Sequence, residues 1–321
     1  MGSVTYPPAA PTISGDVISA NRFLKDTPMV ARALRSIESE MLVSDKLLTG
    51  QSYTESGAVS YEQDESIYAE REPKAIAPGG EYPLTPVPTG AAQTTNTVKW
   101  GQDSEVTDES LNRRRGNAVR EALVKLVNSS VLKIDGIALS AINSAVTQNT
   151  AASASWTTGS PNILRDVLKA QAQLLKLKLG LKPDTVFVDL DVFAAVASDE
   201  KLMALFAREF PGLPNSPVQA GLDSLYVKRT GGLTWVTSPV APITGVATVL
   251  DSTRLGEFVD ELLPAPGYVR PTNSSGRAVG MTQVKTIRDD DNDRWRIRAR
   301  RITVPVILEP KAAWKITGVA S

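Results

Sequence analysis

Asp289-Asp-Asp-Asn-Asp293 carries enough carboxylate to hold a divalent cation, and its alternating acids resemble the start of a calcium loop. That loop needs glycine where Arg294 stands and a bidentate glutamate where Arg300 stands, so the run reads as an acidic turn joining two strands. Ser130/Lys133 and Ser198/Lys201 have the spacing at which a lysine can activate a serine nucleophile, but neither S-D-N nor K-T-G accompanies them. The run Asp293-Arg-Trp-Arg-Ile-Arg-Ala-Arg-Arg301 could bind phosphate or stack on bases, and it also has the alternation of a half-solvated strand. No G-x-G-x-x-G, P-loop or G-x-S-x-G pattern occurs.

The 321 residues contain no cysteine and no histidine. Disulfides, thiolate nucleophiles, Cys/His zinc sites and His- or Cys-ligated haem are thereby excluded, and so is the commonest general base near neutral pH. Lysines and carboxylates are what remains for an enzyme, which makes catalysis the lesser reading; no catalytic residue, cofactor or metal ligand is assigned. Lys plus Arg equals Asp plus Glu at 35 each, whereas a dedicated nucleic-acid binder carries a basic excess to neutralise phosphates. No apolar run approaches the roughly 18 residues that span a bilayer, and no signal peptide is visible in MGSVTYPPAAP.

Neutrality hides a sharp segregation of charge. Residues 51–110 sum to −8, residues 111–140 to +4 and residues 268–321 to +6. Opposite patches on separate parts of one chain suit a head-to-tail contact between copies, with neutralisation inside one chain as the competing reading.

The elements that must position these charges follow from periodicity, which indicates an α+β protein. Residues 1–27 are rich in Pro, Gly and Ser and read as an extended arm. Asp26-Thr-Pro28 then opens an amphipathic helix. Residues 49–100 lack helical period and contain prolines at 73, 78, 83, 86 and 88, which suggests a long two-stranded arm. Thr107 caps a helix whose apolar residues (Leu111, Val119, Leu123, Leu126, Val131, Ile134, Ile137, Ala141, Ala145) predict one run of roughly 39 residues. A second helix covers about 162–180, followed by an α/β segment in which DTVFVDL is a buried strand and LYVKRTGGLTWVTS a hairpin. In the strand-rich end, apolar Trp295, Ile297 and Ala299 alternate with arginines, while Ile302, Val304 and Val306 have the other parity. That change predicts a bulge or kink at Arg300-Arg301.

The order of these parts, with DTPMVARAL, APGGEYPLTP, VKWGQDSEVTDESLNRRR and RWRIRARRITVPVILEP at its joints, resembles the major capsid protein of tailed double-stranded-DNA bacteriophages, in the variety found among phages of actinobacteria. The resemblance covers essentially the whole chain and implies that family's fold. Its parts would be an N-arm with the N-terminal helix at 1–48, an E-loop β-hairpin at 49–100, and the spine helix with the first part of the P-domain at 101–180. An axial A-domain at 181–265 and P-domain return strands at 266–321 would complete it. It also implies a structural subunit that self-assembles into hexamers and pentamers of an icosahedral shell around DNA, built in the bacterial cytoplasm. The implied partners are other copies, a portal, a separate scaffolding protein, decoration proteins, and DNA held without sequence preference on the inner face; no membrane is involved. An encapsulin compartment shares the fold and is the alternative. If the loop of one copy lies over its neighbour, Glu62, Asp64, Glu65, Glu70 and Glu72 would supply the acidic side. Arg113, Arg114, Arg115, Arg294, Arg296 and Arg298 would supply the basic side.

Overall fold

The computed structural model describes residues 20–63, 68, 71–86, 90–114, 116–158, 161–199, 202, 222–224, 227–230, 232–242, 244–261, 263–270 and 282–320; the side chains of 21, 36–41 and 222–230 are outside the description. The helices are α1 (Ala20–Lys25), α2 (Thr27–Met41), α3 (Ser44–Leu47), α4 (Asp108–Arg114), α5 (Gly116–Ala145), α6 (Ile163–Lys176) and α7 (Leu190–Ser198). The strands are β1 (Gly50–Thr54), β2 (Ala58–Gln63), β3 (Ala91–Asn96), β4 (Val98–Thr107), β5 (Asn149–Ala151), β6 (Thr185–Val188) and β7 (Leu222–Ser224). They continue with β8 (Val227–Thr230), β9 (Leu233–Thr237), β10 (Val246–Leu250), β11 (Gly256–Glu261), β12 (Gln283–Asp289), β13 (Arg294–Ile307) and β14 (Ala313–Thr317).

These elements fall into two units. The first draws its described residues from the spans Met1–Leu42, Val98–Lys133 and Asp260–Thr303. Within it, Asp26 starts α2 by accepting the Met29 N–H (3.4 Å), and the Thr27 and Thr286 hydroxyls meet at 2.7 Å where α2 lies on β12. β13 pairs antiparallel with β12 over residues 294–300 and with β4 over residues 294–303, with Arg294 opposite Thr107 and Thr303 opposite Val98. The helix predicted after Thr107 forms in two described pieces, α4 and α5, on either side of Arg115. Thr107 Oγ1 accepts the Ser110 N–H, so the cap is the expected one.

The predicted bulge at Arg300-Arg301 is absent. The β4 register runs without a shift through both arginines to Thr303. Parity changes because every residue from Ala299 to Thr303 is buried, so this length of strand is covered on both faces. A strand covered on both faces has no solvent parity to keep.

The second unit draws on Val43–Thr97, Ile134–Val259 and Val304–Ser321. Its seven-stranded sheet has the order β5-β14-β10-β6-β9-β8-β7, mixed, with β6/β9 and β14/β5 parallel. β6 is buried at all four positions, as a strand covered on both faces must be. α6 packs on β14 and β10 through Ile163, Val167, Ala170 and Leu174, α7 lies on β9, and Trp156 meets Trp235 edge-on at 6.4 Å. Elsewhere β11 passes so close to β13 that a Cβ on Gly256 would stand 2.2 Å from the Val306 carbonyl oxygen. The apolar stripe of α5 drifts along this length: Ala138, Leu139 and Ile142 are buried while the predicted Ile137 and Ala141 are half-exposed. A 3.6-residue turn does not hold a fixed spacing over thirty residues.

Among the described residues, the long arm is two-stranded only at its neck. β2 and β3 pair over six residues, Ala58 opposite Asn96 to Gln63 opposite Ala91. Residues 71–86 form no strand, because Pro73, Pro78, Pro83 and Pro86 have no N–H to give a ladder. Their one ordered turn is at Pro78-Gly79, where Gly79 has φ +81° and the Gly80 N–H reaches the Ala77 carbonyl at 2.8 Å.

Candidate assembly surfaces

Alternation along β13 sends Arg294, Arg296 and Arg298 to one face, and the antiparallel register sets acids of β4 across from them. Arg294 donates to Glu105 (2.6 Å) and to Asp289 (2.8 Å). Arg298 grips Asp103 with two bonds, at 2.6 and 2.8 Å, and Arg296 adds a third at 2.5 Å. Arg288 forks onto Asp108, the first residue of α4, at 2.7 and 2.8 Å. Three acids of the −8 segment are thus neutralised inside their own chain. The remaining loop, residues 55–96, has seven carboxylates and two cations, a net −5.

The acidic run is a turn. Asp289 accepts from Asn292 and Arg294, Asp290 from Arg288, and the Asp293 carbonyl from the Asp108 N–H. Among the described residues no group of three acidic side chains is placed to hold a metal. Ser130 Oγ bonds back to the Leu126 carbonyl and the Lys133 ammonium stands 4.7 Å from the Trp100 ring centre; Lys201 lies outside the described residues.

These pairs set an acid limit on stability. Asp103 is held below the ordinary 3.8 by its bond from Arg298 and then Arg296, Asp108 by Arg288, and Asp289 by Arg294 and then Asn292. The unfolded chain takes up each of these protons first, so the stabilisation is complete above about pH 4 and disappears as the pH falls below it. Asp135 works in the opposite sense. Burial raises its carboxyl, against the Ser44 and Val43 groups that bond to it, so acid stabilises the fold through that residue. Asp103→Asn is expected to lower the urea midpoint at pH 7 and to flatten its decline between pH 4 and 3.

At the buried end of β13, Arg301 forks onto Asp260 of β11 at 2.9 and 3.2 Å, with side chains only 4% and 2% exposed. Arg300 donates to Gln283 Oε1 (2.8 Å) and lays its guanidinium 3.7 Å from the Tyr268 ring centre. Sequence reasoning missed Asp260, although an acid within the apolar strand EFVDE is the signal for a buried partner. It also missed Asp135, which accepts the Val43 and Ser44 N–H groups at 3.2 and 2.9 Å and so fixes the start of α3. Asp189 does the same for α7 and Gly245, at 2.9 and 2.8 Å.

The other nominated residues are at the surface or outside the description. Arg113 and Arg114 end α4 exposed, Arg114 bonding Glu121 at 3.1 Å. Glu62 accepts the Gly90 N–H (3.3 Å) across the neck of the loop, and Glu72 is exposed beyond it. Asp64, Glu65, Glu70 and Arg115 lie outside the described residues. Tyr82 and Leu84, which sequence reasoning passed over, are 82% and 88% exposed on the same loop.

Solved structures share this architecture. A capsid protein of cyanophage P-SCSP1u superposes with a TM-score of 0.59 at 11% identity, over 88% of this chain and 89% of its own. A phage-related protein from Bordetella bronchiseptica RB50 gives 0.57 at 10% identity, over 91% and 97%. A protein of Mycobacterium phage Adephagia gives 0.51 at 14% identity, over 86% and 89%. Identities this low establish a common fold, that of tailed-phage capsid subunits, here α+β. No curated protein matches the sequence. A family model described as phage capsid protein matches residues 91–316, well over half of the chain, and the chain therefore belongs to the phage capsid protein family, as a structural subunit of a viral shell.

Proposed function

We propose that this subunit closes an icosahedral shell of hexamers and pentamers around packaged DNA, and that its acidic loop is the part lent to the neighbouring copy. The observation that carries this reading is the loop itself: net −5, without regular structure over 71–86, and bearing two large apolar side chains almost fully in water. Such a segment buries too little of its own surface to be complete alone. Its natural counterpart is the cationic end of α4, with Glu62, Asp64, Glu65, Glu70 and Glu72 facing Arg113, Arg114 and Arg115 of the next copy. Arg294, Arg296 and Arg298 hold in-chain partners already and would add only what those pairs leave unsatisfied.

In this reading the chain catalyses nothing. Its further partners are a portal, a separate scaffolding protein and decoration proteins, and assembly takes place in the host cytoplasm. The arms would correspond to an N-arm and helix at 1–48 and an E-loop at 49–100. Spine and P-domain would be 101–180 and 266–321, with the A-domain at 181–265. Negative-stain microscopy of the purified chain tests the proposal: uniform closed particles are expected, and a soluble lone subunit at high concentration would overturn it. Particles filled with an enzyme and devoid of nucleic acid in the native source would favour the encapsulin alternative.

A further inference from the structure

α6 carries more than one stripe. Ile163, Val167, Ala170 and Leu174 are buried against the sheet. Turned by about 100° from them, Leu164, Leu168 and Leu175 form a second apolar row, with Leu168 52% and Leu175 59% exposed. Turned about as far again are Arg165, Lys169 and Lys176, all exposed, with Lys169 only loosely held by Asp166 at 3.9 Å. A surface helix with an uncovered leucine row beside a cationic row calls for an apolar, anionic partner.

The same chain displays such a partner. Glu81-Tyr82-Pro83-Leu84 puts the two most exposed large apolar side chains among the described residues next to a carboxylate. Pro83 and Pro86 restrict the backbone to extended forms, so little ordering entropy would be lost on docking. The loop also has chemistry for this helix within one chain, since the Tyr68 hydroxyl donates to the Lys178 carbonyl just beyond the C-terminus of α6. Tyr82 and Leu84 nevertheless remain in water.

Resting on the shell reading above, we propose that the leucine row of α6 is a docking surface for a second copy of this chain, which seats Tyr82 and Leu84 over Leu168 and Leu175 and sets Glu81 against the adjoining cations. The chain has no native cysteine, so a pair introduced at Leu84→Cys and Leu168→Cys reports the contact without background. Mild oxidation of assembled particles is expected to give a ladder of disulfide-linked multimers on a non-reducing gel. The control pair Leu84→Cys with Leu132→Cys, an exposed leucine on α5, is expected to give none. Particles without a ladder, a ladder equally strong in the control, or only a fast-migrating internally bridged monomer would overturn the proposal while leaving the shell reading intact. Absence of particles from the unsubstituted chain would sink both. As a second measure, Leu168→Asp with Leu175→Asp, both at solvent-facing positions, should keep the circular dichroism of the subunit and reduce particle yield by about tenfold or more. Unchanged yield would count against the contact.

Discussion

Asp260→Ala is expected to destabilise the subunit by about 3–5 kcal/mol, enough to remove much of the margin of an ordinary domain. The reason is asymmetric. Arg301 cannot shed its proton, and with 4% of its side chain exposed it cannot reach water without moving β13. Removing Asp260 takes away two charge-assisted bonds and leaves a buried cation behind. Replacing both partners by apolar residues of like volume, Asp260→Leu with Arg301→Met, removes the buried charge itself and is expected to recover most of the loss. Urea denaturation of the soluble subunit measures both. A single variant within about 0.5 kcal/mol of the parent, the scatter of ordinary surface substitutions, would show that the cation finds solvent after all.

Reversing Arg113, Arg114 and Arg115 to glutamate is expected to abolish particles while leaving a folded subunit. Within the chain the described two, Arg113 and Arg114, are exposed and contribute little. Arg114 makes one exposed pair with Glu121, which Lys125 also holds at 2.7 Å, and such pairs contribute about 0.2–1 kcal/mol. Placing anions at the C-terminus of α4 opposes the helix dipole by a further ~0.3–1 kcal/mol. In the proposed contact between copies the same reversal would act at every loop contact of a shell, where small terms repeated at many linked sites multiply. Circular dichroism close to that of the parent with no closed particles by microscopy is the expected pair of results; normal particles would refute the role of these arginines. A companion variant approaches from the other side. Substituting Asn-Gly for residues 64–90 would close β2 onto β3 with a two-residue turn, and should likewise fold and fail to assemble.

Much of this was legible in the sequence because the relevant signals are local. Asp26 and Thr107 cap helices through their own side chains, and TVFV announces a strand buried on both sides. The acidic turn at 289–293 was readable from the residues missing from a calcium loop. What failed depended on distant partners. Arg300 and Arg301 looked like a bulge since nothing near them in sequence reveals Asp260, Gln283 and Tyr268. The in-chain partners of Arg294, Arg296 and Arg298 were equally hidden, because the register that brings Asp103 and Glu105 opposite them joins residues almost two hundred positions apart. Tyr82 and Leu84 went unnoticed because exposure, which gives them meaning, has no periodicity in a proline-rich stretch.

The division of the chain between its two units has a consequence for biosynthesis. The polypeptide passes from one unit to the other five times, and the first unit needs residues on both sides of the long 134–259 span. A ribosome must therefore translate well past position 260 before that unit has all its strands, and on past 304 before the second has all of its own. One protease cut cannot liberate a unit, and a nonsense codon anywhere before β13 yields no salvageable fragment. Quality control on this subunit is all or nothing: what leaves the ribosome is either a whole building block or waste.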